Sequence, residues 1–369
     1  MRRVLVLSHT YLQPAHRGKL RALAARGLEV TVAIPQRWRE PWFGRPIDVA
    51  WERQGGLEVF PLPARGMGKG EVSKAKYGRR ALKALLRDRR PDLVQIEEEP
   101  TTTAAKQVLG AARRLGIPVV LLTHQNVDLQ LDWWLRWKHR RMLKKLTGLV
   151  AGSDLAGTLA RADAPNLPIA VIPQLGAIAP HEPQHVPHEG LAIGFVGRLV
   201  PQKGLDNLLQ ALALQRSAKW RLTIVGDGPE RERLEQLSTE LRLAARVRWT
   251  GGLPAEQVAN LWPDLDVLVM PSRAGPEWRE SNGQVLMEAM AHEVAVLGTD
   301  SGVIPELIGD AGIVVADGDL QGMANALESL GDMNARRTLA QAARARALRL
   351  YSDDAIAERT LEFWRQVVK

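Results

Sequence analysis

The chain has 369 residues, of which 45% are apolar and 25% charged; it carries a formal net charge of +9 and no cysteine. The length points to two domains, the composition excludes a disordered chain, and the missing cysteines exclude disulfides, thiolate nucleophiles and cysteine-ligated zinc, in keeping with a reducing compartment. Charge is uneven: residues 1–180 hold 30 Lys and Arg against 15 Asp and Glu, and residues 181–369 hold 20 against 26, so the first half is expected to face something anionic.

In chain order, residues 2–8 (RRVLVLS) are a short apolar run, too short for a signal-peptide core, and no later run approaches membrane-spanning length. The expected location is cytoplasmic, or peripheral on the inner face of the cell membrane. Residues 14–27 have helical spacing and end at Gly27; residues 28–35 (LEVTVAIP) read as the next strand. The alternation continues with strands at 92–96, 117–123 and 148–152 and helices at 101–115 and 130–146. Strands alternating with helices predict a parallel sheet covered on both faces.

Residues 173–190 (PQLGAIAPHEPQHVPHEG) interrupt the pattern with four prolines and read as a linker whose three histidines are solvated. Strands then follow at 191–196, 220–225, 246–249, 265–270, 294–297 and 312–315, and residues 334–369 are expected to be helical throughout. The chain is thus predicted to hold two doubly wound α/β domains in tandem, with ligands beyond the carboxyl ends of the strands and in the cleft between the domains.

Two clusters carry chemistry. In GFVGRLVPQKGLDNLL (residues 194–209) a buried run gives way to Gly197, the planar donors of Arg198, and Lys203 before a helix. This set suits a diphosphate, although it is not a Walker A loop; the alternative is a tight turn flanked by two surface cations. In ESNGQVLMEAMA (residues 280–291) Ser281 and Asn282 are good capping residues and Gly283 admits a ligand close to the backbone. Amides of Gly283, Gln284 and Val285 would face the ligand, Glu288 would take a ribose diol and Glu280 a hexose. The alternative makes Glu280 a loop acid and Glu288 an exposed helix residue.

These stretches, with LTIVGDGPER (222–231), VRWTGGLP (247–254) and DVLVMPS (266–272), resemble in order and spacing the retaining glycosyltransferases of family 4, whose paired-Glu motif places two glutamates with seven residues between them. The resemblance covers nearly all of residues 190–330. It implies the GT-B fold: an acceptor-binding Rossmann-like domain at 1–175, a nucleotide-sugar-binding one at 190–350, and a helix at 351–369 packing back on the first. It implies transfer of a hexose from a nucleoside-diphosphate sugar to a hydroxyl, lipid-linked or on a cell-envelope glycan, with retained configuration. Arg198 and Lys203 would stabilise the leaving diphosphate; Glu280, Asn282, Gly283, Gln284 and Val285 would hold sugar and phosphate, and Glu288 the ribose. Cations and a helix dipole would do the work of a metal, so no divalent metal or other cofactor is expected, and no nucleic acid. His124 (in PVVLLTHQNVD) stands where relatives place a histidine facing the reacting sugar; a buried histidine satisfied by backbone is the alternative.

One departure concerns the loop after the first strand, where relatives carry a Gly-Gly pair. Here HTYLQPAHRGKL (residues 9–20) has only Gly18, with Arg17 and Lys19 as candidate phosphate contacts. That keeps a nucleotide-sugar-binding protein without turnover open, and a nucleotide-sugar epimerase as a further alternative. The IEEEP run (96–100) is expected either to read acceptor hydroxyls through Glu97, Glu98 and Glu99 or to be a solvated acidic loop. In LDWWLRWKHRRMLKKL (131–146) three tryptophans and seven basic residues, counting His139, share sixteen positions. The helix either packs its aromatic face on the sheet or, with the basic stretch 65–80, lies on an anionic membrane surface.

Overall fold

A computed structural model of the chain describes residues 1–38, 47–66, 75–128, 132–215 and 219–368. The chain divides into two compact units, residues 1–176 with 353–369 and residues 177–352.

In the first unit eight strands lie in the order Ile169–Val171, Gly148–Ala151, Val119–Thr123, Leu93–Ile96, Arg3–Leu7, Glu29–Pro35, Leu57–Leu62 and Glu52–Gln54. All pair in parallel except Glu52–Gln54, which returns antiparallel along Leu57–Leu62. Apolar side chains fill both faces, one cluster built on Leu5, Leu7, Val94 and Leu121, the other on Val4, Val6, Val32 and Leu122. The strand Leu57–Leu62 escapes the sequence reading because Pro61 lies within it, opposite Ile34. The helix Asp353–Val367 belongs to this unit: Trp364 is fully buried in the second cluster, and its Nε1–H donates to Gln95 Oε1 at 2.6 Å.

The second unit holds six parallel strands in the order Val247–Gly251, Trp220–Val225, Leu191–Val196, Val267–Met270, Ala295–Thr299 and Ile313–Val315. Numbered along the chain this is 3-2-1-4-5-6, so connections leave in opposite directions on either side of the gap between Leu191–Val196 and Val267–Met270. Such a switch point leaves a crevice at the carboxyl edge. In the first unit the same reversal falls between Arg3–Leu7 and Leu93–Ile96.

Three expectations are corrected. The tail is two helices, Met333–Leu350 and Asp353–Val367, because the chain breaks at Tyr351, whose hydroxyl donates to the carbonyls of Glu306 and Leu307 at 3.3 Å. The linker is fastened: Arg344 donates to Pro180 O at 2.7 Å and Val186 N–H to Pro263 O at 2.8 Å. Within it His188 is not solvated, its Nε2 lying 3.4 Å from Asp266. The helix Trp133–Leu143 is anchored by Met142 and Leu143, but Trp133, Trp134 and Trp137 are 78%, 45% and 45% exposed, so the aromatic face does not pack on the sheet. Leu131, and residues 67–74 of the basic stretch, lie outside the described residues. Among the described residues no helix is long and apolar enough to cross a membrane.

Candidate active site

In the second unit, the loops that follow neighbouring strands interlock at the switch point. After Leu191–Val196 come Gly197 and Arg198, then a single turn Pro201–Lys203 that ends at Gly204 with φ +62°. A side chain at Gly204 would have its Cβ 2.0 Å from Pro271 O, and Arg273 N–H donates to Gln202 O at 2.9 Å. The loop after Trp220–Val225 closes from the other side, with Gly226 N–H bonded to Gly251 O at 2.9 Å and Gly197 N–H to Val225 O at 2.9 Å. Glycine is needed at 204 for both reasons, the left-handed backbone and the close approach.

This frame brings Lys203, Ser272 and Glu280 together. Glu280 is buried; its Oε2 accepts from Lys203 Nζ at 2.5 Å and from Ser272 Oγ at 2.9 Å, and Lys203 Nζ lies 5.7 Å from the Trp278 ring centroid. The Glu280 main chain is fixed as well, N–H to Ser301 Oγ at 3.3 Å and C=O from Val303 N–H at 2.9 Å. Arg198 is exposed, and its guanidinium has no hydrogen bond or ion pair among the described residues. An ammonium has three N–H donors, so Lys203 can keep Glu280 while donating to an anion.

The N-cap of the helix Gln284–Ala291 is Gly283, and neither Ser281 nor Asn282 makes a side-chain cap bond to it, which corrects the capping expected of them. Asn282 is exposed, and the first-turn positions Gln284 and Val285 are half-buried. Gly283 is itself buried, and a Cβ there would lie 2.1 Å from Leu307 Cδ1, so packing on the helix Ile304–Ile308 accounts for this glycine. Glu288, half-buried one turn in, accepts from Gln284 Nε2 at 3.0 Å.

In the first unit the polar groups at the switch point serve one another. Glu97 is buried at the centre of a network: its carboxylate accepts from Tyr11 Oη at 2.6 Å, Lys19 Nζ at 2.7 Å, Gln95 Nε2 at 2.6 Å and Gln174 Nε2 at 3.0 Å. Burial alone would raise its pKa, but the Lys19 charge and these donors outweigh that and hold it below the usual carboxylate value. Glu98 accepts from His9 N–H at 3.1 Å and pairs with His9 Nδ1 at 2.7 Å. Glu99 accepts from Thr123 Oγ1 at 2.5 Å and His124 N–H at 2.7 Å. The acidic run is therefore neither solvated nor a free row of acceptors.

His124 follows the strand Val119–Thr123, with Nε2 at 2.9 Å from Gln174 Oε1 and a buried Nδ1 without a hydrogen-bond partner among the described residues. A Cβ on Gly152 would lie 2.3 Å from that Nδ1. The expected phosphate contacts of the first loop are not offered to a ligand: Arg17 is buried against Tyr11 O and paired with Glu52, and Lys19 is buried on Glu97. At Gly18 a Cβ would lie 1.7 Å from Asp353 Oδ2, so a carboxylate of the chain already occupies the amino end of the helix Gly18–Ala25.

Sequence reasoning missed Ser272, Gln174, Gly152 and Asp353. Ser272 closes a motif that was read, but the others sit in stretches with no local signal. It also passed over two Asp-x-Asp triplets at 264–266 and 317–319. Asp266 accepts from Ala192 N–H at 2.8 Å and pairs with Arg336 at 3.2 Å; Asp319 caps the helix Leu320–Ser329. Among the described residues no group of three or more His, Asp or Glu is arranged to hold a metal ion.

Comparison with known proteins follows the same division. The profile described as Glycosyl transferases group 1 matches residues 180–346, and one described as Glycosyl transferase 4-like domain matches residues 14–174. The chain is 31% identical to a phosphatidyl-myo-inositol mannosyltransferase of Mycolicibacterium smegmatis, over 74% of this chain and 70% of that one. It is 28% identical to a 2-deoxystreptamine glucosyltransferase of Streptomyces kanamyceticus, over 67% and 70%. Among solved structures, a sucrose-phosphate synthase from Thermosynechococcus elongatus superposes with a TM-score of 0.76 at 20% identity, covering 100% of this chain and 99% of that one.

Proposed function

The chain belongs to the glycosyl transferases group 1 family, with the GT-B fold and a transferase activity, and on that premise we propose that it moves a sugar from a nucleoside diphosphate to a hydroxyl with retained configuration and without a metal. The observation that carries this reading is the contact of Lys203, Ser272 and Glu280 at the switch point, with Arg198, unpaired among the described residues, on the same loop as Lys203 and the helix Gln284–Ala291 starting four residues after Glu280.

Arg198 and Lys203 bind the diphosphate, and the first-turn amides of the helix Gln284–Ala291 add the positive end of its dipole. As the bond from the anomeric carbon to phosphate oxygen breaks, the electron pair leaves with the nucleoside diphosphate, and these donors stabilise the charge that develops. Glu280 holds sugar hydroxyls in an orientation fixed by Lys203, Ser272 and its own main-chain bonds. Glu288 takes the ribose diol, and His124 orients the acceptor hydroxyl. The acceptor oxygen attacks on the face the phosphate leaves, and its proton passes to a departing phosphate oxygen. A lipid-linked acceptor and attachment at a membrane surface are supported by the basic first half of the sequence and by a relative named for action on phosphatidyl-myo-inositol.

The test is a panel of nucleotide-sugars incubated with amphiphilic alcohols in the presence of a chelator, with the anomeric proton of the product read by NMR. Transfer that survives chelation and keeps the donor's configuration is expected; an inverted product or strict metal dependence would overturn the reading.

A further inference from the structure

The helices Thr103–Arg113 and Trp133–Leu143 of the first unit leave between them a groove of about 880 Å³. Its floor is apolar, with Leu109, Leu135 and Met142 beside the open backbone of Gly110. Its rim carries Lys106, Arg113, Lys138, Arg141 and Lys145, and among the described residues no acidic one lines it. The volume falls within the range of about 300–1,000 Å³ usual for sites that bury a small molecule. A hydrocarbon floor under a ring of cations is complementary to an amphiphile with an anionic head, not to a free sugar.

A second feature adjoins it. Trp134 and Trp137 stack at 5.0 Å between ring centroids, Lys138 lies 4.8 Å over Trp134, and Arg141 lies 5.1 Å over Trp137. These indoles gain little from the protein core, and exposed aromatic surface of this extent marks a contact surface. Indoles interleaved with cations match the headgroup layer of an anionic bilayer, where the ring is half-desolvated and the charge meets phosphate. Pro100 and Thr101 are among the residues lining the groove, directly after Glu99, whose carboxylate holds the His124 N–H at 2.7 Å. The groove thus adjoins in sequence the residue that positions His124.

We propose that this groove takes the hydrocarbon chain of an anionic bilayer lipid, with the rim cations on its phosphate and the three tryptophans in the membrane interface, and that the lipid held there is the acceptor. The last clause rests on the transferase reading above; the lipid site does not.

The probes are short-chain phosphatidylglycerol dispersed as monomers, glycerol phosphate as the head without a chain, and vesicles of phosphatidylcholine with and without phosphatidylglycerol. A Cβ on Gly110 meets nothing within 4 Å, so a side chain can start there without a clash, and Gly110→Trp is chosen to place an indole in the groove. The wild type is expected to bind the short-chain lipid saturably and to sediment with the anionic vesicles only. Gly110→Trp should weaken short-chain lipid binding at least tenfold, and Lys138→Gln with Lys145→Gln should weaken both lipid binding and sedimentation. Equal lipid affinity for wild type and Gly110→Trp, glycerol phosphate binding as tightly as the lipid, or equal sedimentation with both kinds of vesicle would each overturn the proposal. Stabilisation by a nucleoside diphosphate reads the second unit and keeps the two readings separable. If it persists while lipid binding fails, only the groove falls; if it is lost while lipid binding holds, the transferase reading falls instead.

Discussion

His124 occupies its position because residue 152 has no side chain. The imidazole lies where a Cβ would stand, 2.3 Å from Nδ1, and its Nε2 and backbone N–H are held by Gln174 and Glu99. Gly152 lies outside the left-handed region, so alanine there brings no backbone strain. Gly152→Ala is therefore expected to shift the ring and lower transfer roughly 10–100-fold, since displacements near 1 Å carry such costs, while leaving nucleoside diphosphate binding by the second unit unchanged. Transfer at the wild-type rate would remove His124 from the chemistry. At this scale the sequence was informative about residue type and poor about direction. Arg198, Lys203 and Glu280 stood out because a fork of donors, an ammonium and a carboxylate beside glycines have few packing uses. Arg17 and Lys19 had the same appearance, yet their partners, Glu52 and Glu97, lie 35 and 78 residues away, where no local pattern reaches.

The elements most visible in the sequence were strands buried on both faces, whereas elements whose role is set by a distant partner show no local pattern. The helix Asp353–Val367 returns to the first unit as the family resemblance implied, although its own residues do not announce it. Its first residue reaches the amino end of the helix Gly18–Ala25, where the Asp353 carboxylate accepts from the Lys19 N–H, and its Trp364 closes a core built from the first 175 residues. Burial raises the pKa of Asp353 from 3.8 to about 6, against the pull of the nearby Lys19 charge and the Lys19 amide. A raised carboxylate pKa means that the folded chain holds the proton more tightly than the unfolded one. Its contribution therefore falls as pH rises between about 4 and 6, by on the order of 2–3 kcal/mol for this group alone. Glu97, whose pKa is lowered, works in the opposite sense, losing stability as pH falls, but that contribution is common to wild type and variant. Denaturant unfolding of wild type and Asp353→Asn across this range should give curves that diverge, wild type losing ground as pH rises. Parallel curves would mean that Asp353 is solvated and ionised throughout.

At the scale of the whole molecule, two sheets of like strand order place their polar loops at like switch points and use them differently. In the first unit the crevice is filled by the chain's own network around Glu97. In the second, Arg198 is unpaired among the described residues and lies on the same loop as Lys203, which is the arrangement an anionic ligand completes. The division into two domains was legible from length and alternation alone, because parallel strands need long helical crossovers and each sheet must be covered on both faces. The boundary was less legible: the proline-rich stretch read as a free linker is bonded along the second unit, whereas the last helix returns to the first as the resemblance implied.

Thermal unfolding with UDP, GDP and ADP at millimolar concentration tests the central claim most directly. At least one of these should raise the melting temperature of the wild type, and raise it less for Arg198→Ala and Glu288→Ala, which remove a phosphate donor and the ribose acceptor. Equal melting temperatures with and without all three nucleotides, or an undiminished shift in Arg198→Ala, would contradict it.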